Sequence, residues 1–481
     1  MKKIYILSTI LFCAFLSLPT NAGVISFAPY VAIPIDGPPE VVAIGDVNND
    51  GRNDVVIGAS SHFDTMNVYN LFVFTQTAGG GLNAPVRYDG CNISSIDIAD
   101  LNGDAMCDVV VGTADSIAIF MQDSTGLLQN VGNYYSGSDV DGVKTGDFNH
   151  DGLTDIVVCH WNSDYIRVFC QQPYGDFSQS QSYAINAGGY DEISAGDVNG
   201  DGLDDIVFMR GQGYNENISI FLQDTSGSLQ LPVFYDLGDT STSGLAVGDV
   251  NNDGKKDVVA TIYGNMPDAQ IAVWLQDTLG LLQTPPCLYS CYQCPIPVEM
   301  ADFDQDGRND IAVGNNGWEA LSLYQQDDLG LLMPYDTTTT PDPSYYKPQG
   351  LAVGDINGDD KPDIALADGS NGLVILYNTS TTGVSDSHLE PTGFKVASLT
   401  LRVAGNKISY QLPQGGHATI KIYNLLGQEV RMLANEFKGS GVYSLHWDGR
   451  DAGNRKVASG VYLVRLESQG QATNGKIIIV R

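Results

Sequence analysis

Positive charge is scarce in this chain: 24 Lys and Arg stand against 57 Asp and Glu among 481 residues, a formal net charge of −33. A surface of that sign repels phosphate backbones and excludes nucleic acid as a partner. Histidine is scarce too, with six copies. None falls in a sequence-readable triad or metal-hydrolase signature, so no catalytic residue is assigned. The apolar run at the N-terminus, Ile4 to Leu18, is shorter than the ~20 residues of a membrane span. No transmembrane segment is therefore expected in the mature chain. Apolar residues themselves are not lacking. Their 43% share excludes a disordered chain.

Met1-Lys2-Lys3, the apolar run and the exit Pro19-Thr20-Asn21-Ala22 describe a secretory signal over residues 1–22, cleaved after Ala22. Phe12 before Cys13 is too bulky for a lipoprotein site, so export without a lipid anchor is expected. Seven cysteines remain in the mature chain, an odd number for an oxidising compartment. Cys159 and Cys170 flank a strand connection and are candidates to pair. Cys287, Cys291 and Cys294 crowd one loop. No histidine is near to complete a zinc site there, so a local disulfide with one thiol left over is expected.

The acids are concentrated. A nine-residue pattern, Asp-x-Asn/Asp-x-Asp-Gly-x-x-Asp, begins at Asp46, Asp100, Asp147, Asp197, Asp249, Asp302 and Asp355, with spacings of 54, 47, 50, 52, 53 and 53 residues. Each interval is one structural unit. A β-branched run precedes every loop, as in Val41-Val42-Ala43-Ile44-Gly45, and another follows, as in Val55-Val56-Ile57-Gly58. These are strands rather than helical periods, joined as hairpins with the acids at the tip.

A third strand ends in aromatic-x-Gln at Gln76, Gln122, Gln171, Gln223, Gln276 and Gln326, and a glycine follows four residues later at Gly80, Gly126, Gly175, Gly227, Gly280 and Gly330. That glycine marks a second tight turn into a fourth strand. Four strands per ~50 residues is the arithmetic of a β-propeller blade. The expected fold is all-β, a seven-bladed propeller over residues 24–379. The seventh repeat stops after its third strand, Gly372 to Tyr377, while a spare strand, Ser26 to Val31, precedes the first loop. The N-terminal strand is expected to complete the last blade and close the ring.

Acids at alternate positions of a tight loop point several hard oxygens into one hollow, the donor set that calcium takes. Side chains come from positions one, three, five and nine, and a backbone carbonyl from position seven. The seven sets are Asp46, Asn48, Asp50, Arg52 and Asp54; Asp100, Asn102, Asp104, Met106 and Asp108; Asp147, Asn149, Asp151, Leu153 and Asp155; Asp197, Asn199, Asp201, Leu203 and Asp205; Asp249, Asn251, Asp253, Lys255 and Asp257; Asp302, Asp304, Asp306, Arg308 and Asp310; Asp355, Asn357, Asp359, Lys361 and Asp363. Up to seven calcium ions are implied. An EF-hand would carry a bidentate Glu at position twelve, where the first loop has Ile57. Asp54 is expected to take that role. Carboxylates ~4 Å apart repel by roughly 1 kcal/mol in water and several times that when partly buried, which favours an occupied loop. Position six needs a left-handed conformation. The second loop has Ala105 there and the seventh Asp360, and alanine costs on the order of 1–2 kcal/mol. The Asp100 loop is therefore expected to bind most weakly.

The repeat resembles the FG-GAP/VCBS type found in integrin α-subunit propellers and secreted bacterial proteins, with Gly79-Gly80-Gly81-Leu82-Asn83-Ala84-Pro85 approximating the name-giving segment. The resemblance implies calcium in the hairpin loops of one face and recognition on the opposite face. It does not imply a single activity.

Residues 380–393 are polar and turn-rich and read as a linker. Beyond it, over 394–481, alternating strands such as Thr419 to Tyr423 and Gly460 to Val464 argue a small Ig-like β-sandwich. Ile422 to Val430, Trp447-Asp448-Gly449-Arg450, Ala458 to Tyr462 and the apolar end Gly475 to Arg481 resemble the C-terminal sorting domain of type IX secretion cargo. They also resemble the Ig-like domain of flagellar hook-capping proteins. The resemblance implies a bacterial protein, secreted or on the cell surface, whose C-terminal domain meets outer-membrane secretion machinery.

The loops of the non-calcium face hold His62, Asp64, His160, Trp161, Tyr214, Glu216, Tyr263, Trp318 and Glu319. Their aromatics suit stacking on sugars, and Trp161, Tyr214, Tyr263 and Trp318 are the candidate ligand residues. The expected function is a binding or adhesion module for a glycan or protein on a calcium-stabilised scaffold. The alternatives are a carbohydrate-active enzyme (lyase or glycosidase) on the same propeller and a structural surface component.

Overall fold

The computed structural model describes residues 24–59, 70–89, 92–161, 163–172, 175–185, 191–210, 217–238, 240–327, 330–341, 346–381, 400–404, 407–412, 416–424, 428–438, 441–447, 449–453, 455–468 and 471–479. The expected signal segment 1–22, most of the linker, and His62, Asp64, Tyr214 and Glu216 lie outside them. Among the described residues there are strands and no α-helix, and no helix long and apolar enough to cross a membrane. The chain divides into two compact units, Met1–Ser385 and Asp386–Arg481.

Among the described residues, the first unit contains seven four-stranded antiparallel sheets. The first runs Pro39–Gly45, Asp54–Ala59, Asn70–Phe74 and Val86–Asp89 in spatial order. The second strands carry the β-branched runs and are buried along their whole length, as in Asp54–Ala59 and Asp257–Ile262. A strand buried on both faces needs neighbours on both. The sheet packs between two others. Outer strands are largely exposed, and Asp176–Ala184 is polar along most of its length.

Apolar clusters fill the gaps between consecutive sheets. Val41, Val56 and Leu71 meet Ile96, Val109 and Phe120 in one gap, and Val42, Ile57 and Phe72 meet Ala365, Leu373 and Ile375 in the gap that joins the last sheet to the first. The first strands also follow one another in a cycle that returns from Leu351–Gly354 to Pro39–Gly45. The Val42 amide donates to the Gln349 carbonyl at 3.1 Å across that closure. This is the ring of a β-propeller.

The last sheet takes its outer strand from the N-terminus, as expected. The regular strand is Val31–Ile33, paired with Gly372–Leu376, rather than Ser26 to Val31. Upstream, contact continues only as isolated bridges, Phe27 to Asn378 and Val24 to Thr381. Pro29 has no N–H to donate, so the ladder is interrupted there. The Ala28 amide bonds Tyr377 O and the Thr379 amide bonds Ser26 O, each at 2.8 Å.

The candidate pairing of Cys159 with Cys170 does not form. The register Ile156 to Phe169 and Val158 to Arg167 places Cys159 toward one end of the hairpin and Cys170 toward the other, and no disulfide joins them. Cys287, Cys291 and Cys294 are free thiols, so the local disulfide is also absent.

The second unit pairs a three-stranded sheet (Thr400–Ala404, Lys407–Leu412, Gly441–His446) with a four-stranded one (Glu429–Lys438, Gly416–Tyr423, Gly460–Ser468, Gln471–Ile479). Alternation along Gly416–Tyr423 sends Ala418, Ile420 and Ile422 into a core shared with Trp447, Tyr462 and Val464. The Trp447 and Tyr462 rings meet edge to face at 5.1 Å, and the indole N–H donates to Arg450 O at 2.9 Å. This is the expected Ig-like sandwich.

Candidate functional site

Every acidic loop joins the first and second strands of its sheet, so all seven lie at the same end of the strands. One pattern of hydrogen bonds builds them all. The position-one aspartate accepts the position-five amide on Oδ1 at 2.9–3.2 Å. Its Oδ2 accepts the position-six amide at 2.7–2.9 Å. The position-five carboxylate accepts the position-seven amide at 2.9–3.1 Å. The acids thus turn inward on one hollow.

The loop can coil this tightly because two positions are left-handed. Position six has φ between 62° and 88° in all seven loops, Ala105 and Asp360 included. Position four is left-handed as well, at 55–80°, with Asn49, His150, Asn252 and Gln305 among its residues. Sequence reasoning missed the second of these. The signal was available, since Gly and Asn, which tolerate this region, fill five of the seven positions. Replacing Ala105 by glycine is expected to stabilise the protein in calcium by about 1 kcal/mol, the Cβ strain removed less the entropy that glycine adds to the unfolded chain. Denaturant titration reads it. A destabilising substitution would contradict the strain argument.

Position nine has a structural role besides the ligation expected of it. Asp54, Asp108, Asp155, Asp205, Asp257, Asp310 and Asp363 are at most 1% exposed. One oxygen of each accepts the position-two amide at 2.9–3.2 Å. The other accepts the amide that follows the third strand, from Gln76, Gln122, Gln171, Gln223, Gln276, Gln326 or Asn378, at 2.7–2.9 Å. The carboxylate pins the loop to the third strand, and apart from Asp54 Oδ1, which also accepts the Asn48 side-chain amide at 3.4 Å, each oxygen keeps a further lone pair for a cation. Burial raises these groups against the pull of the amides: Asp54, Asp108, Asp257 and Asp363 to about 6, Asp155 and Asp205 to about 7, and Asp310 to about 8, with the loop's other carboxylates adding to the rise. Asp100 is held low: burial raises it, but the amides of Ala105, Asn102, Gly103 and Asp104 together outweigh that.

The donors suit a hard divalent cation. Asn48 Oδ1 and Asn357 Oδ1, at position three, are buried with no hydrogen-bond partner, an unmet acceptor at the expected ligand position. In the sixth loop, oxygens of Asp302, Asp304 and Asp310 lie within 4.8 Å of one another. In three loops the position-seven side chain leans on position five: Arg52 on Asp50, Arg308 on Asp306, and Lys255 on Asp253 at 3.6 Å.

The loops also staple neighbouring sheets. A Cβ on Gly227 would meet the Asn149 carbonyl at 1.9 Å, and one on Gly80 the Asn357 carbonyl at 2.4 Å. At Gly80, Gly126, Gly227, Gly280 and Gly330 the second turn thus presses on the loop of the sheet before it, with no room for a Cβ. Four of the six glutamine side chains, those of Gln76, Gln171, Gln223 and Gln326, reach the same way, Gln223 Nε2 donating to Asp147 O at 2.6 Å. Asn378 serves the last sheet, donating to Phe303 O at 2.8 Å.

At the other end of the strands, Trp161, Tyr263 and Trp318 sit in connections between second and third strands and are 42%, 41% and 37% exposed. They belong to the third, fifth and sixth sheets. Trp318 stacks edge-on against Tyr292 at 5.9 Å. His160 is fully buried, and burial, aided by Arg167, pushes it down to about 4. It is a neutral core residue rather than part of the exposed face.

A profile described as FG-GAP-like repeat matches residues 100–158, 147–208, 197–260 and 302–391, and an FG-GAP repeat profile matches 39–70. The FlgD Ig-like domain matches 398–472. No curated protein matches the chain. Among solved structures, BBS1N in complex with ARL6DN is similar at 14% identity and a TM-score of 0.50, over 74% of this chain and 98% of that one. PorZ, an essential surface component of the type-IX secretion system of Porphyromonas gingivalis, is 13% identical with a TM-score of 0.45, over 94% of this chain and 61% of that one. A protein from Lactobacillus plantarum is 13% identical with a TM-score of 0.47, over 63% of this chain and 86% of that one. The BBS1N likeness is one of fold alone. The repeat profile spans more than half of the sequence, and the chain belongs to the FG-GAP-like repeat family.

Proposed function

We propose that this protein is an exported, seven-bladed propeller clamped by calcium in its hairpin loops, and that it binds a glycan or protein partner on the face opposite those loops. The observation that carries the reading is the sevenfold recurrence of one carboxylate-lined loop geometry, with unmet acceptors at Asn48 and Asn357. A solvated Asp/Asn turn would not need three inward acids at every copy. The loops bridge neighbouring sheets, so calcium holds the ring together and leaves recognition to the other face. The exposed rings of Trp161 and Trp318 offer stacking surfaces there. The Ig-like unit serves export through outer-membrane secretion machinery.

Glycan-array binding of the calcium-loaded protein tests the recognition face. Trp161→Ala with Trp318→Ala is expected to lower binding at least tenfold with melting unchanged. Retained binding would remove these residues from the site, and release of new reducing ends or unsaturated products would turn the reading toward an enzyme.

A further inference from the structure

The first strands of the propeller line a partly open cavity of about 320 Å³, within the size range of small-molecule sites. The repeats supply an internal control on its lining. Three residues before each loop stand Ala43, Asp97, Lys144, Ser194, Ala246, Glu299 and Ala352, and all seven line the cavity. Four of the seven are small, so the fold asks only for a small side chain at this level. Asp97, Lys144 and Glu299 are charged without any demand from the ring. Glu192, 4% exposed, joins them from the fourth sheet.

Charged groups are enclosed only at a cost unless paired, and the pairing is uneven. Thr145 donates its amide and its hydroxyl to one Asp97 oxygen, both at 2.7 Å. The Gln349 side chain donates to Glu192 at 2.9 Å. Among the described residues, no side chain donates to Glu299, whose carboxyl takes only the Met300 amide, and Lys144 forms no ion pair. Lys144 stays charged, since the fields of Asp97, Glu299 and Glu192 outweigh its burial. Three carboxyl groups face this one ammonium; burial raises Glu192 to about 7 and raises Glu299 as well, against the pull of Gln349 and Lys144, so a bound cation is what favours their ionised forms. A directly coordinated metal ion is disfavoured, because the one close three-acid group among the described residues is Asp302, Asp304 and Asp310, in the sixth loop. An anion would meet the carboxylates.

We propose that the cavity binds a short aliphatic diammonium ion, one ammonium anchored on Glu299 and the double charge matching the excess of Asp97, Glu192 and Glu299 over Lys144. The site is separate from the loops and does not rest on their calcium. Calorimetric titration of the full chain in calcium buffer with 1,4-diaminobutane tests it, with γ-aminobutyrate as the control of equal length and one anionic end. Saturable one-to-one binding of the diamine alone is expected. Glu299→Gln is expected to weaken it at least tenfold, and Lys144→Met, which removes the competing ammonium, to tighten it. Absence of saturable binding, equal binding of γ-aminobutyrate, or affinities unchanged in both variants would overturn the proposal. Should Glu299→Gln not fold, the sign of the Lys144→Met effect decides alone.

Discussion

Removing calcium with a chelator is expected to lower the melting temperature of the propeller by on the order of 10–15 °C. Free calcium at ten times its dissociation constant stabilises by about 1.4 kcal/mol per site, and seven such sites by roughly 10 kcal/mol. At about 2.1 cal/mol/K per residue, residues 24–379 unfold with an entropy near 0.75 kcal/mol/K, so each kcal/mol moves the midpoint by about 1.3 °C. Differential scanning calorimetry with and without chelator reads the shift. Coincident midpoints would show that the loops hold no stabilising ion.

The same experiment has a pH signature. Aspartates with folded values of about 6 to 8 lie above the unfolded value of about 3.9. The folded state then binds protons more tightly, so the chelated protein loses stability as pH rises from about 4 to 8. Calcium displaces those protons and reverses the slope. A chelated protein that gains stability across that window would contradict the burial of the position-nine acids.

The second large effect separates the two kinds of acid in a loop. Asp257→Ala is expected to cost about 3–5 kcal/mol even in chelator, because it leaves the buried amides of Val250 and Gln276 without the carboxylate that accepts them at 2.9 and 2.8 Å. Asp253, whose side chain is 37% exposed, accepts the exposed Lys255 amide at 3.1 Å and is otherwise expected to serve the cation. Asp253→Ala is expected to cost under about 1 kcal/mol in chelator and to lower stability chiefly in calcium. Equal losses in chelator would mean that position nine is a ligand and nothing more.

Local chemistry was readable in the sequence, and relations across the ring were not. The left-handed turn at position six followed from glycine and survived its exceptions at Ala105 and Asp360, because the loop's hydrogen bonds demand it whatever residue stands there. The split last sheet followed from counting strands, while its register did not, since Pro29 moves regular pairing to Val31–Ile33. Gln223 and Asp147 are far apart in sequence, yet their contact defines a sheet boundary. A repeat shows which residues recur, but only packing shows that the glutamine serves the preceding loop. The cysteines failed for the same reason: Cys159 and Cys170 share a hairpin, but the ladder register sets them toward opposite ends. His160 sits beside Trp161 in sequence, and only burial separates the core residue from the exposed one.

Equilibrium dialysis of the full chain against millimolar calcium, with bound metal counted by mass spectrometry, tests the central claim most directly. The account requires about seven ions per chain, falling by one with each position-five substitution such as Asp151→Ala. A count of none or one at saturation would contradict it.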